Sequence, residues 1–159
     1  MASFGLGRQT NTNNNSACTT IEPSTPWMAV SEGNLNLLQS SINSLQLTYN
    51  VADENGYTLL HAAASYNQLE IIKFLLGQNS NINAIDNDGD TALHYSSKVD
   101  SAKLLIEIGK IDRNIKNKNG KTALESKQEE LNEMMTDDDV EDDDEEIDDL
   151  KSLISYLSS

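Results

Sequence analysis

Residues 53–83 read DENGYTLLHAAASYNQLEIIKFLLGQNSNIN, and the chain repeats the plan of this stretch. Gly56 precedes Tyr57-Thr58-Leu59-Leu60-His61. Gly89 precedes Asp90-Thr91-Ala92-Leu93-His94, 33 residues later, and Gly120 precedes Lys121-Thr122-Ala123-Leu124-Glu125, 31 residues after that. A period of this size marks stacked supersecondary units.

The local chemistry of one unit follows from its residues. Asn50-x-x-Asp53-x-x-Gly56, Asn83-x-x-Asp86-x-x-Gly89 and Asn114-x-x-Asn117-x-x-Gly120 share one spacing. Asx side chains close local turns, and glycine supplies a positive φ without steric cost. Thr58 is placed to cap a short helix through its hydroxyl. Ala62, Ala63 and Ala64 keep that helix thin enough for close neighbours. Leu69, Ile72, Leu75 and Leu76 then fall on one face of a second helix. A single hairpin of this kind cannot bury its apolar face alone, whereas stacked copies bury it continuously.

These residues resemble the ankyrin repeat. Thr58-x-Leu60-His61-x-Ala63-Ala64, Thr91-x-Leu93-His94 and the Asn-x-x-Asp-x-x-Gly turns match its signature over roughly residues 26–157. The chain looks most like small ankyrin proteins of lower eukaryotes that carry an acidic insertion near the C-terminus. It departs from the pattern at Leu59, Ala92 and Ala123, where the family usually has proline, and at Glu125, where a third histidine would stand. Repeat three is read as shortened after Lys98, lacking a loop of the Tyr66-Asn67-Gln68 kind. The resemblance implies an all-α solenoid of about four repeats, near 26–52, 53–85, 86–116 and 117–157, with the outer two as caps. It further implies that His61 and His94 hydrogen-bond within their own turns and bridge to the next repeat.

Composition fits a thin core. Hydrophobic residues make up 37% of the 159 and aromatics only 5%, which suits a line of Leu, Ile and Ala better than a large central globule. The net charge of −15 is concentrated: residues 137–149 hold eleven acids, leaving fifteen acids against eleven bases elsewhere. An acidic chain is a poor binder of phosphate backbones, so nucleic acid is excluded as a partner. No apolar run reaches the ~20 residues that span a bilayer. One cysteine, Cys18, permits no internal disulfide, so the expected compartment is the cytoplasm, with the nucleus also open.

In chain order, residues 1–21 are Asn-, Thr- and Ser-rich and read as a disordered tail. The repeat domain follows over 22–159. Trp27, Met28, Ala29 and Val30 align with His61 to Ala64 and open a first repeat with no preceding turn. The helix from Thr122 to about Met135 either runs long or breaks. The acidic insertion over 137–146 then interrupts repeat four, on the argument that the amphipathic Ile147, Leu150, Leu153, Ile154 and Leu157 must supply a closing second helix. Thr136, before three aspartates, is a candidate for acid-directed kinases.

No nucleophile–base pair, phosphate-cradling loop or metal-ligand spacing appears, so the reading is non-enzymatic, with no catalytic residue, cofactor or metal. Asp86-Asn87-Asp88-Gly89-Asp90 fails as a calcium loop, since its glycine is at the fourth position rather than the sixth. The resemblance places partner contacts at Glu54, Asn55, Tyr57, Ser65 and Tyr66, at Asn87, Asp88 and Asp90, and at Lys118, Asn119 and Lys121. Tyr57 and Tyr66 offer the best anchors, because tyrosine gives large contact area at low entropic cost; the alternative, that they only cover neighbouring helices, stays open.

The expected function is that of a monomeric adaptor binding another protein through a concave groove. Two alternatives use the acidic run of Asp137, Asp138, Asp139, Glu141, Asp142, Asp143, Asp144, Glu145 and Glu146: escort of a basic client such as a ribosomal protein or histone, or inhibition by mimicry of a nucleic acid. Six of the eleven bases lie between Lys110 and Lys127, so either the run folds back over Lys118 and Lys121 or the charges form a mixed solvated surface.

Overall fold

The chain, seen in a computed structural model that describes residues 22–136 and 145–159, forms four helical hairpins stacked side by side. The pairs are α1 (Thr25–Ser31) with α2 (Leu35–Ser44), α3 (Leu59–Ser65) with α4 (Leu69–Gly77), α5 (Ala92–Tyr95) with α6 (Val99–Lys103), and α7 (Ala123–Met135) with α8 (Glu145–Ser158). The predicted tail and residues 137–144 of the acidic run lie outside the described residues. Helices α1, α3, α5 and α7 pack in series as one layer. In the other layer α4 packs on α6 and the turn that follows it, and α6 packs on α8.

The core is the line between the layers. Ala29, Val30, Leu38, Leu59, Ala62, Ala63, Ala64, Leu75, Leu93, Leu105 and Leu153 are buried in one continuous cluster. In α4 the fully covered residues are Ile71, Ile72 and Leu75, whereas Leu69 and Leu76 are only partly covered. The buried stripe is thus rotated toward Ile71, because α4 packs against both α3 and the hairpin that follows.

The shortening of repeat three lies in its first helix, not after Lys98. Both repeats use three-residue connectors between their helices, residues 66–68 and 96–98. The loss falls on the first helix, which has four residues in α5 against seven in α3. Ser96 leaves α5 in extended backbone (φ −57°, ψ 122°), without the left-handed residue that Asn67 supplies at the same corner of repeat two.

The second helix of repeat three gains a residue. The bond that closes it, Ile111 N–H to the Leu105 carbonyl, spans six residues. Its counterparts, Leu47 to Ile42 and Ser80 to Leu75, span five. The extra residue is absorbed as a π-helical turn over Leu104–Ile108. Three residues lost and one gained account for the period falling from 33 to 31.

Helix α7 runs long, at thirteen residues, and is continuous. Helix α8 is amphipathic, with Ile147, Leu150, Leu153 and Leu157 buried. It packs on both α7 and α6, covering the end of the stack. Arg113 donates to the Leu157 carbonyl, and the Tyr156 hydroxyl donates to Glu107 Oε1 at 3.1 Å.

Candidate protein-binding surface

Each turn is built by one acceptor side chain. Asp53 Oδ1 accepts from Asn55 N–H (2.8 Å) and Tyr57 N–H (2.9 Å). Asp86 Oδ1 accepts from Asp88 and Asp90 N–H, both at 2.9 Å. Asn117 Oδ1 accepts from Asn119 and Lys121 N–H at 3.0 and 3.1 Å. Neighbouring turns are then joined through backbone. Asn87 N–H donates to the Asn55 carbonyl and Lys118 N–H to the Asp88 carbonyl, both at 2.8 Å. The tips are therefore fixed relative to one another before any partner arrives.

A second ladder crosses the first-helix layer. Thr58 N–H donates to His61 Nδ1 at 3.0 Å, so Nδ1 is the acceptor and the proton sits on Nε2. That Nε2–H donates to the Asp90 carbonyl of the next repeat at 2.9 Å. His94 repeats the arrangement, accepting from Thr91 N–H at 3.1 Å and donating to the Lys121 carbonyl at 3.1 Å. In repeat one the indole of Trp27 takes the same role and donates to the Tyr57 carbonyl at 3.2 Å.

Repeat four uses Glu125 instead of histidine. Its carboxylate accepts from Thr122 N–H at 2.8 Å, as the imidazole does elsewhere, which closes the capping box. A carboxylate has no second N–H to hand on, so the substitution keeps the bond within the turn and ends the ladder. The Thr122 bonds hold the Glu125 carboxyl below its ordinary range.

Sequence reasoning missed the group around Tyr95. Its hydroxyl donates to Asp86 Oδ2 at 2.7 Å, and its ring meets those of Tyr57 and His61 edge-on at 5.1 and 5.5 Å. The Tyr57 ring stacks on His61 at 5.5 Å. Burial, with the Asp86 bond second, raises the Tyr95 phenol. Burial also raises Tyr57, against a hydrogen bond with Ser65 that acts in the opposite direction. For Asp86 burial acts upward, but the bonds from Tyr95 and the Asp90 and Asp88 amides outweigh it, so the carboxyl lies below its ordinary value. Tyr95 meets His61 and Tyr57 across 34 and 38 residues of chain, a signal visible only once the repeat register is known.

Burial lowers the His61 imidazole below its ordinary 6.5, against the Asp90 carbonyl bond that favours the charged form. Protonating Nδ1 would also set a proton against the Thr58 N–H. The unfolded chain therefore takes up the proton first. The stabilisation from neutral His61 is complete above the unfolded pKa and is lost as pH falls from 6.5 toward the lower folded value. Unfolding midpoints are expected to drop between about pH 7.5 and about pH 5.5, and His61→Gln is expected to flatten that drop. Denaturant titrations at the two pH values check it; equal slopes in both proteins would remove His61 as the cause.

The predicted contacts divide by exposure. Glu54, Asn55, Asp88, Lys118 and Asn119 are exposed at the tips, and Tyr66 is 56% exposed at the far end of α3. Tyr57 and Ser65 are half-buried. Asn87 donates to the Glu54 carbonyl at 3.0 Å, and Asp90 accepts from Asn117 Nδ2 at 2.8 Å. Lys121 is paired with Glu129 on α7. Asp90, Asn119, Lys121, Ser126 and Glu129 surround a depression of about 230 Å³ on this surface.

The described end of the acidic run does not lie on Lys118 or Lys121. Asp149 pairs with Lys98 at 3.0 Å, and Glu145 adds a second negative charge nearby. The tip that carries Lys118 and Lys121 precedes α7, whose thirteen residues extend about 20 Å before the run begins. Thr136, at the exposed C-terminal end of α7, donates to the Glu133 carbonyl at 2.8 Å. Among the described residues no group of three or more His, Cys, Asp or Glu is placed to hold a metal, and no helix is long and apolar enough to cross a membrane.

The sequence was compared with known families and proteins. The family described as Ankyrin repeats (3 copies) matches residues 26–116. An ankyrin repeat-containing protein of Schizosaccharomyces pombe is 37% identical over 97 residues, which is 61% of this chain and 46% of that protein. A transient receptor potential cation channel subfamily A member 1 homolog of Caenorhabditis elegans is 40% identical over 67 residues, 42% of this chain and 6% of the channel. The Schizosaccharomyces pombe palmitoyltransferase akr1 is 40% identical over 62 residues, 39% of this chain and 10% of the enzyme. The chain thus spans less than half the length of each of these relatives. The matched residues contain the turns built by Asp53 and Asp86 and both histidines of the ladder, and by this match the chain belongs to the ankyrin-repeat family.

Proposed function

We propose that the protein is a non-enzymatic adaptor that binds a partner protein across its turn tips and first helices. Ankyrin repeats are in general protein-interaction modules. One observation carries the reading for this chain: Glu54, Asn55, Asp88, Lys118 and Asn119 are exposed side chains on backbone already locked from repeat to repeat. Such a surface loses little conformational freedom on binding, so its contacts convert efficiently into affinity. Tyr66 supplies an aromatic anchor at one edge. We assign this function to a monomer in the cytoplasm or nucleus; the single cysteine supports the compartment.

The test is quantitative capture from lysate, read by mass spectrometry. Tyr66→Ala together with Asn119→Ala is expected to reduce retention of the specific partner by about tenfold or more, the scale of losing a hot spot. Ile108→Ala, an exposed residue of the other layer, is expected to leave retention unchanged. Equal retention by all three proteins would remove this surface from the function.

A further inference from the structure

The shortened α5 beside the long α7 leaves a notch, and that notch is a cleft of about 820 Å³. Tyr95, Lys98, Lys127, Glu130, Glu145 and Asp149 are among its lining residues, with Leu150. It opens between α5–α6 on one side and α7–α8 on the other, and it adjoins the depression beside Asn119, with which it shares His94 and Tyr95. Its carboxylates outnumber its lysines, four to two. Both lysines are already committed: Lys98 to Asp149 at 3.0 Å and Lys127 to Glu130 at 2.8 Å.

We infer that this cleft receives a lysine- or arginine-bearing segment of a partner protein, with Asp149 and Glu145 binding the cation and Lys98 holding its place in the free chain. The occupant follows from what the cleft contains. Lys98 reaches from α6 across to α8, so one ammonium group is already bound where a second could bind instead. The Lys98 side chain is 45% exposed, so the pair is accessible to exchange with an incoming cation. Tyr95 and buried Leu150 give apolar surface for the methylene stem of a long basic side chain. The helix α8 dipole does not oppose a cation here, because Glu145, Glu146 and Asp148 occupy its first turn. The inference rests on the reading of this chain as a protein-binding module, but the acids it uses, Asp149 and Glu145 on α8, are not among the turn-tip residues.

A fluorescein-labelled lysine-rich decapeptide serves as the probe, titrated into the full chain by anisotropy at low and physiological salt. Lys98→Ala is expected to tighten binding, by up to about fivefold, the factor that a surface ion pair is worth. Asp149→Asn is expected to weaken it by a similar factor, and raised salt to weaken both. A gain of affinity in Lys98→Ala cannot arise from unfolding, which keeps the test independent of any damage caused by Asp149→Asn. Deleting residues 137–144 separates the cleft from the acidic run: the Lys98→Ala and Asp149→Asn effects are expected to persist in the deleted chain. Wild-type affinity in both single variants would overturn the inference, whatever the deletion does, by leaving the run alone as the binder. A dimeric chain that binds no peptide would assign the cleft to a second copy and overturn it equally. Tyr66→Ala with Asn119→Ala is expected to leave peptide affinity unchanged, so failure of the cleft and failure of the tip surface give different results.

Discussion

Leu75→Ala is expected to lower the free energy of unfolding by about 2–5 kcal/mol, from lost transfer energy plus the cavity left behind. Leu75 is fully buried in the central hairpin. Its carbonyl also accepts from Ser80 N–H, the bond that turns the chain out of α4. The site has little freedom to collapse, since it is enclosed by the neighbouring layer on one side and by the next hairpin on the other. Leu76, its sequence neighbour, is partly covered and lies beside Gly77, Ile82 and Ile108 at the surface. The same truncation at Leu76 is expected to cost distinctly less. Chemical denaturation of both variants checks the pair. A loss below about 0.5 kcal/mol at Leu75, the surface value, would place it outside the core.

The expected difference between Leu75 and Leu76 shows where sequence reading was sufficient and where it was not. Helical periodicity identified α4 and its apolar side. It could not fix the rotation of the buried stripe, which depends on packing from two directions, so Leu76 was weighted with Leu75 and Ile71 was passed over. The turns and the histidine bridges were legible because they are local patterns copied at a fixed period. Glu125 looked like a loss of pattern in sequence. In three dimensions it retains the bond to Thr122 and drops only the onward bridge that His61 and His94 make. The fold-back reading falls mostly on residues 137–144, which lie outside the described residues. At the run's described end, Asp149 pairs with Lys98, some 50 residues away in the chain, a contact that sequence proximity does not reveal. The Tyr95–Asp86 contact was equally hidden, because it depends on a first helix of only four residues placing a tyrosine over the preceding turn.

Gly89→Val is expected to destabilise the protein more than Gly120→Val, and the difference isolates a packing effect from a conformational one. Both glycines are left-handed, with φ of +80° at Gly89 and +73° at Gly120. A β-branched residue resists that region at either site, at a cost of about 1–2 kcal/mol. At Gly120 an added Cβ would meet nothing within 4 Å. At Gly89 it would lie 3.1 Å from Asn117 Cα and 3.1 Å from Lys118 N. Those are backbone atoms of the next turn, and the Lys118 amide is the one that donates to the Asp88 carbonyl. Relief of the clash would therefore stretch the joint between repeats three and four, adding about 1–3 kcal/mol, the usual scale of overpacking. The losses, measured by denaturant unfolding, are expected to be about 2–5 kcal/mol at Gly89 and about 1–2 kcal/mol at Gly120. Equal losses would mean that the turns do not touch as closely as described and that glycine is needed at both sites for its φ alone. A larger loss at Gly120 would contradict the open space around that turn.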